Sequence, residues 1–171
     1  MAPIRFQPAD TDAMREELDV VLWEVLWRPL GLPRNIRAAF HLEGPSTELV
    51  ALHQGRAVGG LVLTWLSDTA VELRHIAVLP AFQQQSLGRR LIRHGLRLLS
   101  DSTGSVLSTY ARQTSVQFFQ KLGFVALAGE VIEHPWFSKH GIYFQKMIYN
   151  LKSNHLRQPA PPCGVARRRA L

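Results

Sequence analysis

The sequence predicts a single α/β domain in which a mixed central sheet of about seven strands is flanked by about four helices. The chain has 171 residues, which is an ordinary length for one domain, and 46% of them are hydrophobic. Some segments show the spacing of apolar residues that is typical of strands, and others show the helical spacing. In the second half strand-like and helix-like segments alternate, which implies some parallel pairing.

The domain is predicted to begin with one strand and two helices. The strand covers Ile4 to Gln7. The first helix runs from Asp12 to Trp27, because apolar residues recur along one of its faces, and either Asp10 or Thr11 caps it. Proline and glycine residues end this helix, and a second short helix is predicted from Asn35 to Phe40.

Three strands follow in the middle of the chain. Two of them, Glu48 to His53 and Ala57 to Leu66, are separated by Gln54-Gly55, which is typical of a hairpin turn. The third strand runs from Ala70 to Val78 and ends before Pro80.

The next three elements alternate between helix and strand. A helix is predicted from Leu87 to Ser100, a strand from Ser105 to Tyr110, and a helix from Thr114 to Leu122. Gly123 ends the last of these helices, because glycine readily adopts the left-handed conformation of a helix C-terminus.

Two strands close the domain, which is taken to span residues 1–150. They are predicted at Val125 to Ile132 and at Ile142 to Tyr149, on either side of a loop that contains Pro135 and Gly141. Residues 151–171 are basic, contain three prolines and lack apolar periodicity, so they are predicted to form a disordered tail.

The positive charge of the chain belongs mostly to this tail. The net charge is +7, but five of the 20 basic residues and none of the 13 acidic ones lie in residues 151–171. The domain itself is therefore close to neutral, which makes nucleic acid a less favoured partner. Binding of RNA or of an acidic surface by Arg167, Arg168 and Arg169 stays open as an alternative to a solvated terminus.

Several classes of protein are excluded or disfavoured by the sequence. Cys163 is the only cysteine, so neither an intramolecular disulfide framework nor a cysteine-based zinc site is expected. His134 and His140 lack a third ligand, and no metal is expected. No apolar run approaches the roughly 18 residues of a membrane span. The N-terminus does not resemble a signal peptide, and a cytoplasmic protein is expected.

The segment from Val71 to Leu91 carries the strongest chemical signal. A strand runs into Pro80, a glutamine-rich loop follows, and a helix begins near Gly88. The first N–H groups of a helix are unpaired and carry partial positive charge, so such a turn can bind a phosphate group. The lysine of a P-loop and the glycines of a dinucleotide fingerprint are missing. An ordinary polar loop before a surface helix is the alternative.

This segment resembles the Gcn5-related N-acetyltransferase (GNAT) family, which has the pattern V-x-P-x-x-[QR]-x-x-G-x-[GA]-x-x-L here. Ser86 stands where the family usually has its first glycine, and it would be strained if the turn required a positive φ. A second block, from Arg112 to Phe124, is similar to the family's A-x-x-F-Y-x-x-x-G-F helix. The matching residues of the first block are Val78, Pro80, Gln83, Leu87, Gly88 and Leu91.

The resemblance implies a GNAT-like sheet and an acetyl-CoA or other acyl-CoA co-substrate between two splayed parallel strands. It implies that the backbone of Ile76, Ala77 and Val78 pairs with the pantetheine arm. It also implies that the backbone amides from Gln83 to Arg89 hold the pyrophosphate. Arg93 and Arg97 are interpreted as a solvated basic face. The implied cofactor-binding residues are Ile76, Ala77, Val78, Gln83, Gln84, Gln85, Ser86, Leu87, Gly88 and Arg89.

Transfer of an acetyl group to an amine requires a base, because an amine with a pKa of about 10.4 is protonated at neutral pH. Glu72 matches a glutamate that acts through water in many relatives. By simple alternation it should share a sheet face with Ile76 and Val78, whereas His75 should point to the opposite face. An ion pair between Glu72 and Arg74 is the alternative.

The general acid is less well specified by the sequence. Phe119 occupies the position at which the family often has a tyrosine, and a phenyl ring cannot donate a proton. Tyr110 is the candidate acid, while Tyr143 and water remain alternatives. Direct attack in a ternary complex is favoured over an acyl-cysteine route, because Cys163 lies in the tail.

The acceptor is expected to be a small-molecule or peptide amine. Trp27 to Arg34 and His134 to His140 are expected to border its pocket, since loops often form binding sites. A non-catalytic acyl-CoA-binding sensor and, less favoured, a nucleic-acid-binding protein are the alternatives. The sequence leaves a homodimer open.

Overall fold

The computed structural model describes residues 3–100 and 104–152, so the tail beyond residue 152, with Cys163 and the three consecutive arginines, lies outside the described residues. One seven-stranded sheet forms the centre of the domain, in the order β1-β2-β3-β4-β5-β7-β6. The predicted α/β class, with a mixed sheet and four helices, is confirmed. The strands are β1 (Arg5–Pro8), β2 (Ser46–His53), β3 (Arg56–Trp65), β4 (Ala70–Val78), β5 (Val106–Arg112), β6 (Val125–Ile132) and β7 (Phe144–Asn150).

The four α-helices pack on both faces of this sheet, and two of them, α3 and α4, are short. They are α1 (Asp12–Leu26), α2 (Leu87–Ser100), α3 (Val116–Gln120) and α4 (Pro135–Ser138). Short 3-10 helices cover Arg28–Leu30, Ile36–Phe40, Pro80–Phe82 and Gln113–Ser115. The segment predicted as a second helix from Asn35 is therefore a 3-10 helix.

Helix α1 begins at the N-cap Thr11, whose hydroxyl accepts a hydrogen bond of 3.2 Å from the Met14 N–H. Its buried face contains Leu18, and it lies close to β3 because residue 60 is a glycine. A Cβ atom at Gly60 would stand 2.4 Å from Leu18 Cδ1 and 2.6 Å from the Leu49 carbonyl oxygen. Helix α1 therefore packs directly on one face of the sheet, here called the α1 face.

Helices α2 and α3 cover the opposite face, here called the α2 face. Leu91, Ile92 and Leu99 of α2 pack there against the sheet, and Phe119 of α3 joins the same core. Helix α3 is shorter than the predicted segment from Thr114 to Leu122, because its two ends tighten into 3-10 turns. Gly123 has φ +96°, as predicted for the residue that ends it.

Helix α4 was not predicted and interrupts the expected loop between the last two strands. Pro135 takes the first helical position, where its missing N–H leaves no bond unmade. His134 Nδ1 accepts from the Trp136 N–H at 3.3 Å and caps the helix. The turn places Phe137 in the core of the α1 face.

Candidate functional site

Two neighbouring parallel strands separate at the centre of the sheet. The pairing of β4 with β5 runs from Ala70↔Val106 to Leu73↔Thr109 and ends there, although both strands continue. The Thr109 hydroxyl donates to the Leu73 carbonyl at 2.9 Å and closes the paired region. Beyond this point a gap opens between the two strands, and the edge of β4 that faces β5 is free of strand pairing.

A β-bulge in β4 lies at the start of this gap. Leu63 of β3 pairs with Leu73, whereas Val62 pairs with His75, so Arg74 is the extra residue. One extra residue reverses the alternation of side chains after it.

The bulge corrects the expected orientation of the candidate base. Glu72 does not share a face with Ile76 and Val78, which pack on the α2 face. Glu72 and His75 lie opposite Thr64 and Val62 and therefore point to the same α1 face, contrary to the expectation that His75 points away from Glu72. Simple alternation failed here because it assumes an uninterrupted strand.

A cavity of about 410 Å³ fills the gap between the strands. It passes from the α2 face, where Phe119 lines it, to the α1 face, where Glu72 and Tyr110 line it. Its remaining lining is mostly apolar and includes Leu26, Trp27, Phe40, Leu42, Leu73, Ile76, Ala111, Ile132, Phe137 and Phe144, together with Arg74, His75, Thr109, Arg112, Ser115 and His134.

Glu72 is buried in this cavity, with only 5% of its surface exposed. Its Oε1 accepts a hydrogen bond of 3.0 Å from Arg74 Nη1. Arg74 also donates to the Phe40 carbonyl from Nε at 3.0 Å and from Nη2 at 2.9 Å. Among the described residues Oε2 of Glu72 has no hydrogen-bond donor, so one carboxylate oxygen is held and the other is available to a ligand or water.

His75 is a packed histidine that stays neutral at physiological pH. Burial, with the positive charges of Arg74 and Arg37, lowers the pKa of His75 to about 3. Its ring stands edge-on to Trp27, with ring centres 5.1 Å apart. A group with this pKa is a weak base at neutral pH, so His75 is a poor candidate for the general base.

Tyr110 lies on the same face as Glu72, because Glu72 pairs with Ser108 and Tyr110 is two residues further along β5. Strand β5 continues to Arg112, so Tyr110 is within the strand and not at its end. Phe119 is buried and packs against Phe118 and Phe124. Tyr143, the alternative acid, is 44% exposed and does not line the cavity.

The turn between β4 and α2 is held by its own side chains. Gln83 Nε2 donates to the Val78 carbonyl at 2.8 Å, and Gln85 Nε2 donates to the Ala81 carbonyl at 3.0 Å. Gln84 and Ser86 both have φ +59°. The departure from the family's glycine at residue 86 therefore falls on a position where a serine is strained.

The first N–H groups of α2 point out of this turn without a partner. The Ser86 carbonyl accepts from the Arg90 N–H at 3.0 Å, but the N–H groups of Leu87, Gly88 and Arg89 have no acceptor among the described residues. The side chains of Arg89, Arg93 and Arg97 are exposed. This arrangement has the geometry of an anion site built from main-chain donors.

Aromatic side chains form the wall of the cavity on the α1 face. Trp27 and Phe40 stack with ring centres 5.9 Å apart, and Phe137 lies 5.6 Å from Phe40. His134 lies 5.7 Å from Phe40. The two segments expected to border the acceptor pocket thus each contribute residues to this cavity, through Trp27 and through His134 and Phe137.

Arg112 also lines the cavity, and sequence reasoning assigned it no role. Its Nη2 donates to the Leu26 carbonyl at the end of α1, and its guanidinium carbon lies 5.8 Å from the centre of the Phe137 ring. Burial lowers the pKa of Arg112. The only sequence signal was its position after a predicted strand, which does not indicate which way the side chain points.

A second, polar cavity of about 430 Å³ adjoins the first on the α1 face. Arg37 crosses it and pairs with both Asp19 and Glu48. Burial by itself would lower the pKa of Arg37, but these two carboxylates raise it above its ordinary value. Sequence reasoning missed this cluster, because its members come from three distant segments.

None of the helices in the described part of the chain combines the length and the apolar character that crossing a membrane requires. Within residues 3–100 and 104–152, His, Cys, Asp and Glu side chains do not gather in groups of three or more that could hold a metal ion.

A family model described as an acetyltransferase (GNAT) domain matches residues 45–126. This range contains both blocks on which the resemblance rests, Val78 to Leu91 and Arg112 to Phe124. The resemblance to the Gcn5-related N-acetyltransferase family is confirmed by this match. No curated protein matches the chain by sequence.

Several solved structures share the fold, and two of those described here are named as acetyltransferases. Escherichia coli ElaA superposes with a TM-score of 0.72 at 15% identity, over 86% of this chain and 100% of its own. The ribosomal-protein-S18-alanine N-acetyltransferase of E. coli gives 0.71 at 16% identity, over 87% and 94%. An aminoglycoside 6'-N-acetyltransferase complexed with coenzyme A gives 0.67 at 13%, over 93% and 99%. At these identities the likeness concerns the fold alone.

Proposed function

Since the chain carries an acetyltransferase domain of the GNAT family, we propose that it is an N-acetyltransferase that moves an acetyl group from acetyl-CoA to a primary amine. The observation that carries this proposal is the gap between β4 and β5. It holds a cavity that contains a buried carboxylate, and helix α2 begins shortly after the same strand β4. A hydrophobic cavity with few convergent polar groups is the usual form of a small-molecule site.

The chain offers two sets of groups to a CoA molecule. The edge of β4 at Ile76, Ala77 and Val78 is unpaired on the side of β5 and can bond to the amides of the pantetheine arm. The N–H group of Gln83 was expected to belong to a second set, but it donates to the Pro80 carbonyl at 3.2 Å. The second set therefore consists of the N–H groups from Gln84 to Arg89, and those of Leu87, Gly88 and Arg89 lack acceptors among the described residues. They would hold the pyrophosphate, with Gln84, Gln85 and Ser86 shaping the turn. The complex of an aminoglycoside 6'-N-acetyltransferase with coenzyme A, a structure of this fold, supports this assignment.

Glu72 is proposed as the general base. Its free Oε2 accepts the ammonium proton of the acceptor, directly or through a water molecule, while Arg74 holds Oε1 in place. The neutral amine then forms a bond with the thioester carbonyl carbon. Direct attack in a ternary complex needs no acyl-enzyme, which is consistent with the absence of cysteine from residues 3–152.

Tyr110 is proposed as the acid that protonates the departing thiolate. It lines the cavity on the face of Glu72, and Phe119 on the other face has no proton to give. A thiol has a pKa of about 8.5, so protonation by solvent after release is a workable alternative. Loss of the Tyr110 hydroxyl should therefore reduce the rate less than loss of the Glu72 carboxylate.

The experiment measures coenzyme A binding and acetyl transfer separately. Calorimetry with the full chain should detect coenzyme A binding, and incubation with acetyl-CoA and a panel of amines should release thiol only when an accepted amine is present. Binding without thiol release for any amine would favour the sensor alternative. Absence of binding at millimolar coenzyme A would overturn the proposal.

A further inference from the structure

The cavity contains one positive charge that the protein does not neutralise. Its lining includes one carboxylate, Glu72, which is bound to Arg74. Arg112 lines the same cavity, and no carboxylate of the described residues lies within ion-pair distance of it. His75 adds no charge, because its pKa is lowered to about 3 by burial and by Arg74 and Arg37.

Arg112 is only partly satisfied by its surroundings. A guanidinium has five N–H donors, and the described residues accept one hydrogen bond from it, at the Leu26 carbonyl. Its other close neighbour is the ring of Phe137. A charge that leaves water without a counter-ion is unfavourable, and its lowered pKa has burial as its cause. An anion in the cavity would relieve this cost.

The position of Arg112 links this anion to the acceptor and not to the phosphates of CoA. Arg112 follows Tyr110 on β5 by two residues, so its side chain points to the α1 face. The proposed phosphate-binding turn follows β4 and begins α2, on the other face. A planar guanidinium is suited to binding a carboxylate through two parallel hydrogen bonds.

The walls around Arg112 indicate what the rest of this ligand is like. Trp27, Phe40 and Phe137 surround the α1 end of the cavity with aromatic surface. Such walls favour an apolar or aromatic body.

We propose that the acceptor is an apolar amine that also carries a carboxylate, such as an aromatic α-amino acid, and that Arg112 binds this carboxylate. The inference rests on the proposed function and names the substrate class of the same site. A peptide N-terminus with no nearby carboxylate would not satisfy Arg112. The positive charges of Arg74 and Arg112 would also lower the pKa of the bound ammonium group and ease its deprotonation by Glu72.

The test uses two probes without an amine, 3-phenylpropionate and its amide, titrated against the full chain saturated with coenzyme A. The acid should bind at least about tenfold more tightly than the amide, as expected for a hydrogen bond to a charged group. Arg112→Gln should abolish this preference. Arg5→Gln, which removes an exposed arginine of β1, is the matched control and should keep it.

Equal affinity for the two probes, no binding of either at millimolar concentration, or a preference that survives Arg112→Gln would overturn the inference. If Arg112→Gln does not fold, the comparison of acid and amide on the unaltered protein decides the question. Failure of the proposed function can be told apart from failure of this inference. The first appears as no thiol release with any amine, whereas the second appears in the affinities of the two probes, which are measured without any reaction.

Discussion

The turn from Pro80 to Arg89 and the cavity between β4 and β5 are built in opposite ways. The turn is a contiguous segment whose side chains are mostly exposed, and it offers main-chain N–H groups to a ligand. The cavity offers side chains from β4, β5, β6 and β7 and from three of the four α-helices, α1, α3 and α4. The first region needs only local backbone geometry, whereas the second exists only when distant segments have packed together.

Under the proposed function, this difference would separate binding of the co-substrate, at the turn, from chemistry and choice of acceptor, in the cavity. Main-chain donors bind a phosphate whatever the side chains are, so the turn carries little information about the acceptor. Glu72, Arg74 and Arg112 differ in charge and in partners, so under the proposed function the cavity is the region that would select the acceptor and take its proton. Substitutions in the two regions should therefore change different measured quantities.

The largest effect is expected for Glu72→Gln. Loss of the base should reduce the rate of acetyl transfer by about 10²–10⁴-fold, while coenzyme A affinity stays near that of the unaltered protein. Steady-state kinetics and calorimetry measure the two quantities. Glu16→Gln removes a carboxylate that is 71% exposed and is the control. Full activity of Glu72→Gln would show that Glu72 serves only as the partner of Arg74.

A second effect concerns the stability of the folded chain in acid and arises from His75, a residue of the cavity. The pKa of His75 is about 3 in the folded chain and 6.5 in the unfolded chain, so the unfolded state binds more protons between these values. The free energy of unfolding therefore falls as the pH falls from about 6.5 towards 3, by at most about 1.4 kcal/mol per pH unit from this group.

His75→Gln should reduce this slope, as measured by urea unfolding at several pH values from 7 to 4.5. His140→Gln, which replaces an exposed histidine, is the control. An unchanged slope in His75→Gln would mean that His75 is not held neutral by its surroundings.

A third effect concerns coenzyme A affinity and should follow from a substitution in the turn. Ser86→Val places a β-branched residue at φ +59°, which adds about 1–2 kcal/mol of strain or shifts the turn. Coenzyme A affinity should then fall by about tenfold, whereas the rate at saturating acetyl-CoA should change little. Unchanged affinity would argue against phosphate binding at this turn.

The smallest effect is expected for Ser86→Gly, because glycine adopts a positive φ without strain. The free energy of unfolding should rise by about 0.5–1 kcal/mol, with coenzyme A affinity kept or slightly increased. Thermal unfolding measures the first quantity and calorimetry the second. A lower melting temperature would show that the serine hydroxyl contributes more than the strain costs.

The bounds of several helices and strands followed from the sequence, but the face of the sheet to which each side chain points did not. Strand β4 and helix α2 have the predicted bounds, Ala70–Val78 and Leu87–Ser100, because periodicity and flanking breakers are local signals. The bulge at Arg74 depends on the register with β3, which no property of β4 alone reveals. Glu72 was therefore predicted to lie on the wrong face, although it does line the cavity.

The sequence by itself determined the order of the strands and of the helices other than α4, and it indicated the family, because each depends on residues close together in the chain. Only the tertiary structure decided which side chains share the cavity, that Glu72 is paired with Arg74, and that Arg112 faces the same space without a carboxylate partner among the described residues. These contacts depend on strand register and on the packing of α1 and α4. Both are set by the burial of side chains that lie far apart in the sequence.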